Sequence, residues 1–89
     1  HSYIQNVVIA ATETHTISVT AGQTLHVMNP DDSLRISFEK LNVGDGLPHF
    51  IIPKNTDNPQ GFNVLITATE LLYYRHDSAV AGNVSFWVV

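Results

Sequence analysis

The sequence predicts an all-β fold: a small antiparallel β-sandwich, jelly-roll or immunoglobulin-like, of about eight strands. Three observations predict it. Thr, Val and Ile together supply 25 of the 89 residues, and β-branched side chains favour extended backbone over helix. Apolar and polar residues alternate over short runs, the period of a half-buried strand. Gly, Pro, Asn and Asp recur between those runs, at a spacing that suits two packed sheets. The length fits one domain, residues 1–89, without a linker, low-complexity tract or solenoid period.

The elements follow in order. Tyr3–Ala11 is the first expected strand. His15–Thr20 is the second, with Ile17 and Val19 on one face and Thr16, Ser18 and Thr20 on the other. Ala21-Gly22 turns the chain, and Thr24–Met28 returns with Leu25 and Val27 inward, which predicts a hairpin with the second strand. Asn29-Pro30-Asp31-Asp32 has the chemistry of a type I turn. Arg35–Leu41 comes next, with Ile36 and Phe38 facing in and Arg35, Ser37 and Glu39 facing out. Asn42–Pro48, with Gly44-Asp45-Gly46, is a loop. Phe50–Ile52 is a short strand stopped by Pro53, and Lys54–Gly61 is a polar loop before the strand Phe62–Thr67. Thr67-x-x-Glu70 ahead of Leu71-Leu72 has the form of a helix capping box, whereas Tyr73-Tyr74 favours a strand. In an otherwise β pattern Leu71–Arg75 reads as a strand. Asp77–Gly82 is a loop and Asn83–Val89 the last strand.

Each sheet of an antiparallel sandwich buries one face and wets the other, so its strands should alternate. The terminal strands do not. In the last, Val84, Phe86 and Val88 share a face, but Trp87 and Val89 lie opposite. In the first, Ile4 and Val8 oppose Val7 and Ile9. Leu65 opposes Val64 and Ile66, and Leu72/Tyr74 oppose Leu71/Tyr73. Bulges, barrel closure or a covering loop would hide such residues. The preferred reading is that other copies of the chain cover them, through an interface of Ile4, Val8, Leu65, Tyr74, Trp87 and Val89. A chain of this length buries only about 60–65% of its unfolded surface. It has no cysteine for a disulfide, so assembly is the available route to added stability.

Four Lys and Arg against eight Asp and Glu give a net charge of −4. Four cations cannot cover a phosphate backbone, so no nucleic-acid partner is expected. No apolar run reaches the roughly 20 residues of a membrane span. His15, His26, His49 and His76 fall on different segments without a zinc spacing, although His15 and His26 would converge across the expected hairpin. Asp31-Asp32, Asp45 and Asp57 lack the spacing of a calcium loop and fit turn chemistry. No metal or cofactor is therefore expected. Glu13-x-His15 and Arg75-His76-Asp77 place acid near base, but there is no nucleophile elbow, cysteine nucleophile or phosphate-cradling loop. The expectation is a protein that is not an enzyme. The alternative function is a carbohydrate-binding module, in which Tyr73, Tyr74, Trp87 and Phe62 stack on sugar rings and loop asparagines bond the hydroxyls. Asn83-Val84-Ser85 also has the form of an N-glycosylation sequon.

Ala79-Val80-Ala81-Gly82-Asn83-Val84-Ser85-Phe86-Trp87-Val88-Val89, and the earlier Val19-Thr20-Ala21-Gly22-Gln23-Thr24-Leu25, resemble the strand-turn idiom of small phage virion surface proteins. Head-decoration, head-fibre and tail modules share it, as do subunits of extracellular β-rich filaments. The resemblance brings no site residue with it. It implies a role by assembly: a structural subunit whose partners are copies of itself and other virion or cell-surface proteins. The composition agrees, because 24 residues are Thr, Ser, Asn or Gln, a neutral polarity common outside the cell. The chain opens at His1 without Met, so either a leader has been removed or His1-Ser2 is the remnant of a tag.

Overall fold

The computed structural model describes residues 3–39, 43–44, 49–55, 61–78 and 80–89. Eight strands run in chain order: β1 (Tyr3–Ile9), β2 (His15–Val19), β3 (Thr24–Met28), β4 (Leu34–Ser37), β5 (Phe50–Ile52), β6 (Phe62–Leu65), β7 (Glu70–His76) and β8 (Gly82–Val88). They form two four-stranded antiparallel sheets, ordered β1-β8-β3-β6 and β2-β7-β4-β5. The pairings nest: β1 with β8, β2 with β7, β3 with β6 and β4 with β5. Such nesting is one long antiparallel ribbon rolled over itself, the jelly-roll member of the two expected sandwiches. An immunoglobulin-type sandwich would instead keep several consecutive strands side by side.

The expected hairpin between β2 and β3 is not formed, because the two strands lie in opposite sheets. Turn chemistry explains the difference. Gln23 N–H donates to Thr20 C=O at 3.1 Å, with Gly22 at the third position of the turn and φ of 91°. Positive φ at that position is the mark of a type II turn, which splays the flanking strands where a primed turn would pair them. The departing loop is then captured by the end of β6, through Gly22 N–H to Ile66 C=O and Ile66 N–H to Gln23 C=O, each 2.8 Å. Ile17 and Val19 therefore face Leu25 and Val27 across the core, and all four are buried.

The core is one cluster between the sheets. Leu72 and Tyr74 of β7 meet Val84, Phe86 and Val88 of β8, with Ile9, Leu25, Val27, Leu34, Ile36 and Ile52 around them. The Tyr74 and Phe86 rings meet edge to face, 4.8 Å apart at 65°, the geometry the ring quadrupoles favour. The shortest molecular dimension is 19 Å, enough for two sheets about 10 Å apart with their side chains and no third layer. Among the described residues no helix is long and apolar enough to cross a membrane, and Glu70–His76 is strand throughout. In this strand the capping-box pattern loses to pairing on both sides, with β2 and β4.

Boundaries differ where the chain leaves a sheet. β1 stops at Ile9 because the next residues turn, with Glu13 N–H on Ala10 C=O. β4 stops at Ser37, so Phe38 is exposed instead of facing in; the expected extension to Lys40 and Leu41 lies outside the described residues. The β3–β4 and β7–β8 loops are stitched together by aspartates. Asp31 Oδ2 accepts Asn83 N–H at 2.7 Å, and Asp32 Oδ2 accepts Ser78 N–H at 2.6 Å. The Asp31 side chain lies where a Cβ on Gly82 would sit, with its Cβ, Cγ and Oδ2 2.5–2.8 Å from that point, so any larger residue there would displace Asp31.

The Tyr74 hydroxyl is buried and has no hydrogen-bond partner among the described residues. Desolvation by burial pushes its phenol up from 10.0 to about 12. An unfolded tyrosine ionises near pH 10. Between about pH 10 and 12 the unfolded chain therefore sheds this proton while the folded chain keeps it. Stability from this group is complete below pH 10 and falls by about 2–3 kcal/mol as the pH climbs through 12. Tyr74→Phe should remove that part of the alkaline loss in urea titrations. At pH 7 the same substitution should leave stability equal or up to about 1 kcal/mol higher, because an unpaired buried hydroxyl is removed.

Candidate functional site: an exposed apolar sheet face

The two sheets treat their outer faces differently. On β2-β7-β4-β5, Arg35 of β4 points outward yet is buried. Its Nε donates to Asp77 Oδ1 at 2.8 Å, Nη2 to Asp77 C=O at 3.1 Å and Nη1 to Val43 C=O at 3.1 Å. Val43 is itself buried, so at this point of the β4–β5 connection the backbone lies against the outer face of the sheet, held by the guanidinium. The expectation of an outward Arg35 holds for its direction but not for its exposure.

Among the described residues the outer face of β1-β8-β3-β6 has no such cover. Register places Ile4 beside Trp87, Trp87 beside His26, and His26 beside Asn63, one row across four strands. The Trp87 and His26 rings are 5.2 Å apart. The next row on one side is Asn6, Ser85 and Met28, then Val8 beside Asn83. On the other side Val89 and Thr24 exchange both backbone bonds, with Leu65 beyond Thr24. These outward positions include no Asp, Glu, Lys or Arg. Ile4 and Val8 are each 71% exposed, Leu65 67% and Trp87 51%, and Met28 and Val89 are exposed as well. A groove of about 270 Å³ runs beside Ile4, Trp87 and His26.

Five of the six residues expected at an interface, Ile4, Val8, Leu65, Trp87 and Val89, thus share this face. Tyr74 does not. It is wholly buried, because β7 turns Leu72, Tyr74 and His76 inward while Leu71 is exposed. Both parities of β7 are apolar in sequence, which gives no basis for choosing between them. Met28 and His26 join the face without being among the expected residues; their alternation with buried Leu25 and Val27 is the signal that locates them.

The rings expected to form a sugar platform are dispersed. Trp87 lies on the bare face and Tyr74 in the core, while Phe62 leans toward Phe50 at the β5–β6 edge, 5.2 Å between rings. Tyr73 sits on the opposite sheet. That β5–β6 edge opens as a second apolar cleft of about 270 Å³, lined by Ile36, Phe50, Phe62 and Val64. His15 and His26, expected near one another across a hairpin, are in different sheets. His15 pairs with Glu13 and lies 5.9 Å from the Tyr74 ring. His76 is buried, with Nδ1 3.0 Å from Val80 C=O. Among the described residues no three His, Asp or Glu side chains converge as metal ligands. Asp31 and Asp32 serve the loop contacts above, and Asp45 and Asp57 lie outside the described residues. Asn83 of the sequon is exposed.

Comparison with protein-family models, curated proteins and solved structures finds no match to this chain.

Asp77→Ala should expose the contrast between the two faces. It removes the carboxylate from Arg35 but leaves both backbone carbonyls, and Asp77 is one-third exposed. The expected cost is about 1–2 kcal/mol in chemical denaturation, the range for a charged hydrogen bond that water partly replaces. Faster exchange of the Val43 amide should accompany it.

Proposed function

We propose that the chain is a non-enzymatic structural subunit that self-assembles, on a virion surface or in an extracellular filament. One observation carries this: six large apolar side chains lie exposed on a single uncharged sheet face. Contiguous apolar surface of this kind marks interaction sites. A domain this small gains stability whenever a partner binds only its folded form. A second copy suits the face because neither side brings an Asp, Glu, Lys or Arg that must be desolvated or that repels its twin. The setting outside the cell or on a virion is supported by the Thr- and Asn-rich neutral composition and by the strand-turn idiom of residues 19–25 and 79–89. The contact generates a ring if its rotation closes and a filament if it does not.

Trp87 is the anchor of this reading. Its ring lies at the middle of the row between Ile4 and His26, and buried aromatic anchors dominate interface energetics. Trp87→Ala should cost about 2–4 kcal/mol of association. Light scattering across a dilution series should show the multimer shifting to the single chain, with the β circular dichroism retained. A multimer unchanged by the substitution, or a single chain at every concentration before it, would falsify the proposal.

A further inference from the structure

The bare face ends at β1, and among the described residues β1 is an open edge. Backbone directions on this strand follow from one pair. Thr24 and Val89 exchange N–H···O=C bonds of 2.8 and 3.0 Å, so Trp87 and Ser85, alternate residues of the same strand, also bond toward β3. Val84, Phe86 and Val88 are left to bond β1, through partners Val7, Gln5 and Tyr3. Ile4, Asn6 and Val8 consequently direct their N–H and C=O groups away from the sheet. Exposed edges of this kind are normally blunted by lysine, proline or a short strand. β1 is seven residues long and contains no charged residue and no proline. β6, the other edge of this sheet, has four residues, and β5 has three before Pro53.

We infer that β1 pairs antiparallel with β1 of a second copy about a two-fold axis at Asn6, joining two four-stranded sheets into one of eight strands. The proposal rests on the assembly reading above but uses a different surface, the strand edge. The sequence of β1 is self-complementary about Asn6. On the outer face Ile4 would stand opposite the second copy's Val8, Asn6 opposite Asn6, and Val8 opposite Ile4. Each is a pair that exchanges two backbone bonds, about six in all. Moving the two-fold to Gln5 or Val7 leaves only about four such bonds. Either shift also sets Ile4 or Val8 against Asn6 and separates the apolar cross-strand pairs that stabilise a ladder. Asn6 Oδ1 already accepts the Ser85 hydroxyl at 2.5 Å, which leaves its amide N–H groups for the twin asparagine. A foreign extended peptide would use the same backbone groups, but only a second β1 supplies the mirrored order of apolar, Asn and apolar. An isologous contact requires such symmetry.

Hydrogen exchange read by mass spectrometry on an N-terminal peptide ending at Ile9 tests this on the unmodified chain. Compared with the diluted single chain, the multimer should protect three further amides, those of Ile4, Asn6 and Val8. Asn6→Pro removes an edge N–H and leaves every backbone bond to β8 in place, losing only the side-chain contact with the Ser85 hydroxyl, and proline is tolerated on edges. It should weaken association about tenfold or more, since two hydrogen bonds per pair are lost. Asn63→Pro, the matching change on the β6 edge, should weaken association less than Asn6→Pro, because it alters one position of the bare face but removes no N–H of the β1 ladder. A multimer in which the three amides exchange as in the diluted chain would overturn the edge pairing while leaving assembly through the face intact. Association lost in Asn63→Pro but kept in Asn6→Pro would overturn it too. Absence of any multimer would end both readings. If Asn6→Pro does not fold, the amide protection alone decides.

Discussion

The contact between Tyr74 and Phe86 ties the molecule together. Each ring comes from a strand with neighbours on both sides, β7 between β2 and β4, and β8 between β1 and β3. Seated edge to face, they fix which parity of each central strand is dry. Every flanking strand inherits that choice through its register. Leu72 and His76 must follow Tyr74 inward, and Val84 and Val88 must follow Phe86. The same parity that buries Phe86 expels Trp87. The bare face is therefore a consequence of the core, and no repacking inside the sandwich could hide the indole.

The sandwich meets its two outward faces with different chemistry. Over β4 a guanidinium gathers two backbone carbonyls and a carboxylate, and the chain itself becomes the cover. Arginine suits this because its planar fork satisfies several acceptors at once. Over β8 the described residues include no such organiser. The outward side chains there are apolar or small neutral groups, and Trp87 stays half exposed among them. A cover held by hydrogen bonds is permanent, whereas an apolar face gains only when something apolar arrives.

Much of this is legible in the residues. Period-two alternation locates β2, β3 and β4 directly, and β-branched or aromatic runs bounded by turn residues locate the other five. Counting from Phe86 and Ile9 places Trp87, Ile4 and Val8 outward. Partners are less legible. Alternation by itself does not specify pairing: Ile17/Val19 and Leu25/Val27 look alike whether two strands lie side by side or face each other across a core. Only the φ of Gly22 separates the cases, and Ala21-Gly22 can serve either kind of turn. The burial of Tyr74 is hidden for a related reason. Leu71 through Tyr74 are apolar on both parities, so the ring with which Phe86 packs is found only in three dimensions. The burial of Arg35 depends on Val43 and Asp77, one far along the chain, and no local pattern encodes it.

The nested order of strands also governs how the chain acquires its shape. Tyr3 is partnered with Val88 and His15 with Tyr74, so most ladders close only after long loops have formed. Closing such loops costs entropy before contacts return it, and topologies of this kind fold in milliseconds to seconds, slower than helical bundles. On the ribosome the consequence is sharper. β1 emerges first and has no partner in its own sheet until β8 has left the exit tunnel, so an uncharged strand with an open edge waits through the synthesis of almost the entire domain. Neighbouring nascent chains on one message would bring such strands together before any of them has folded, at the point where pairing between copies competes with pairing within a copy.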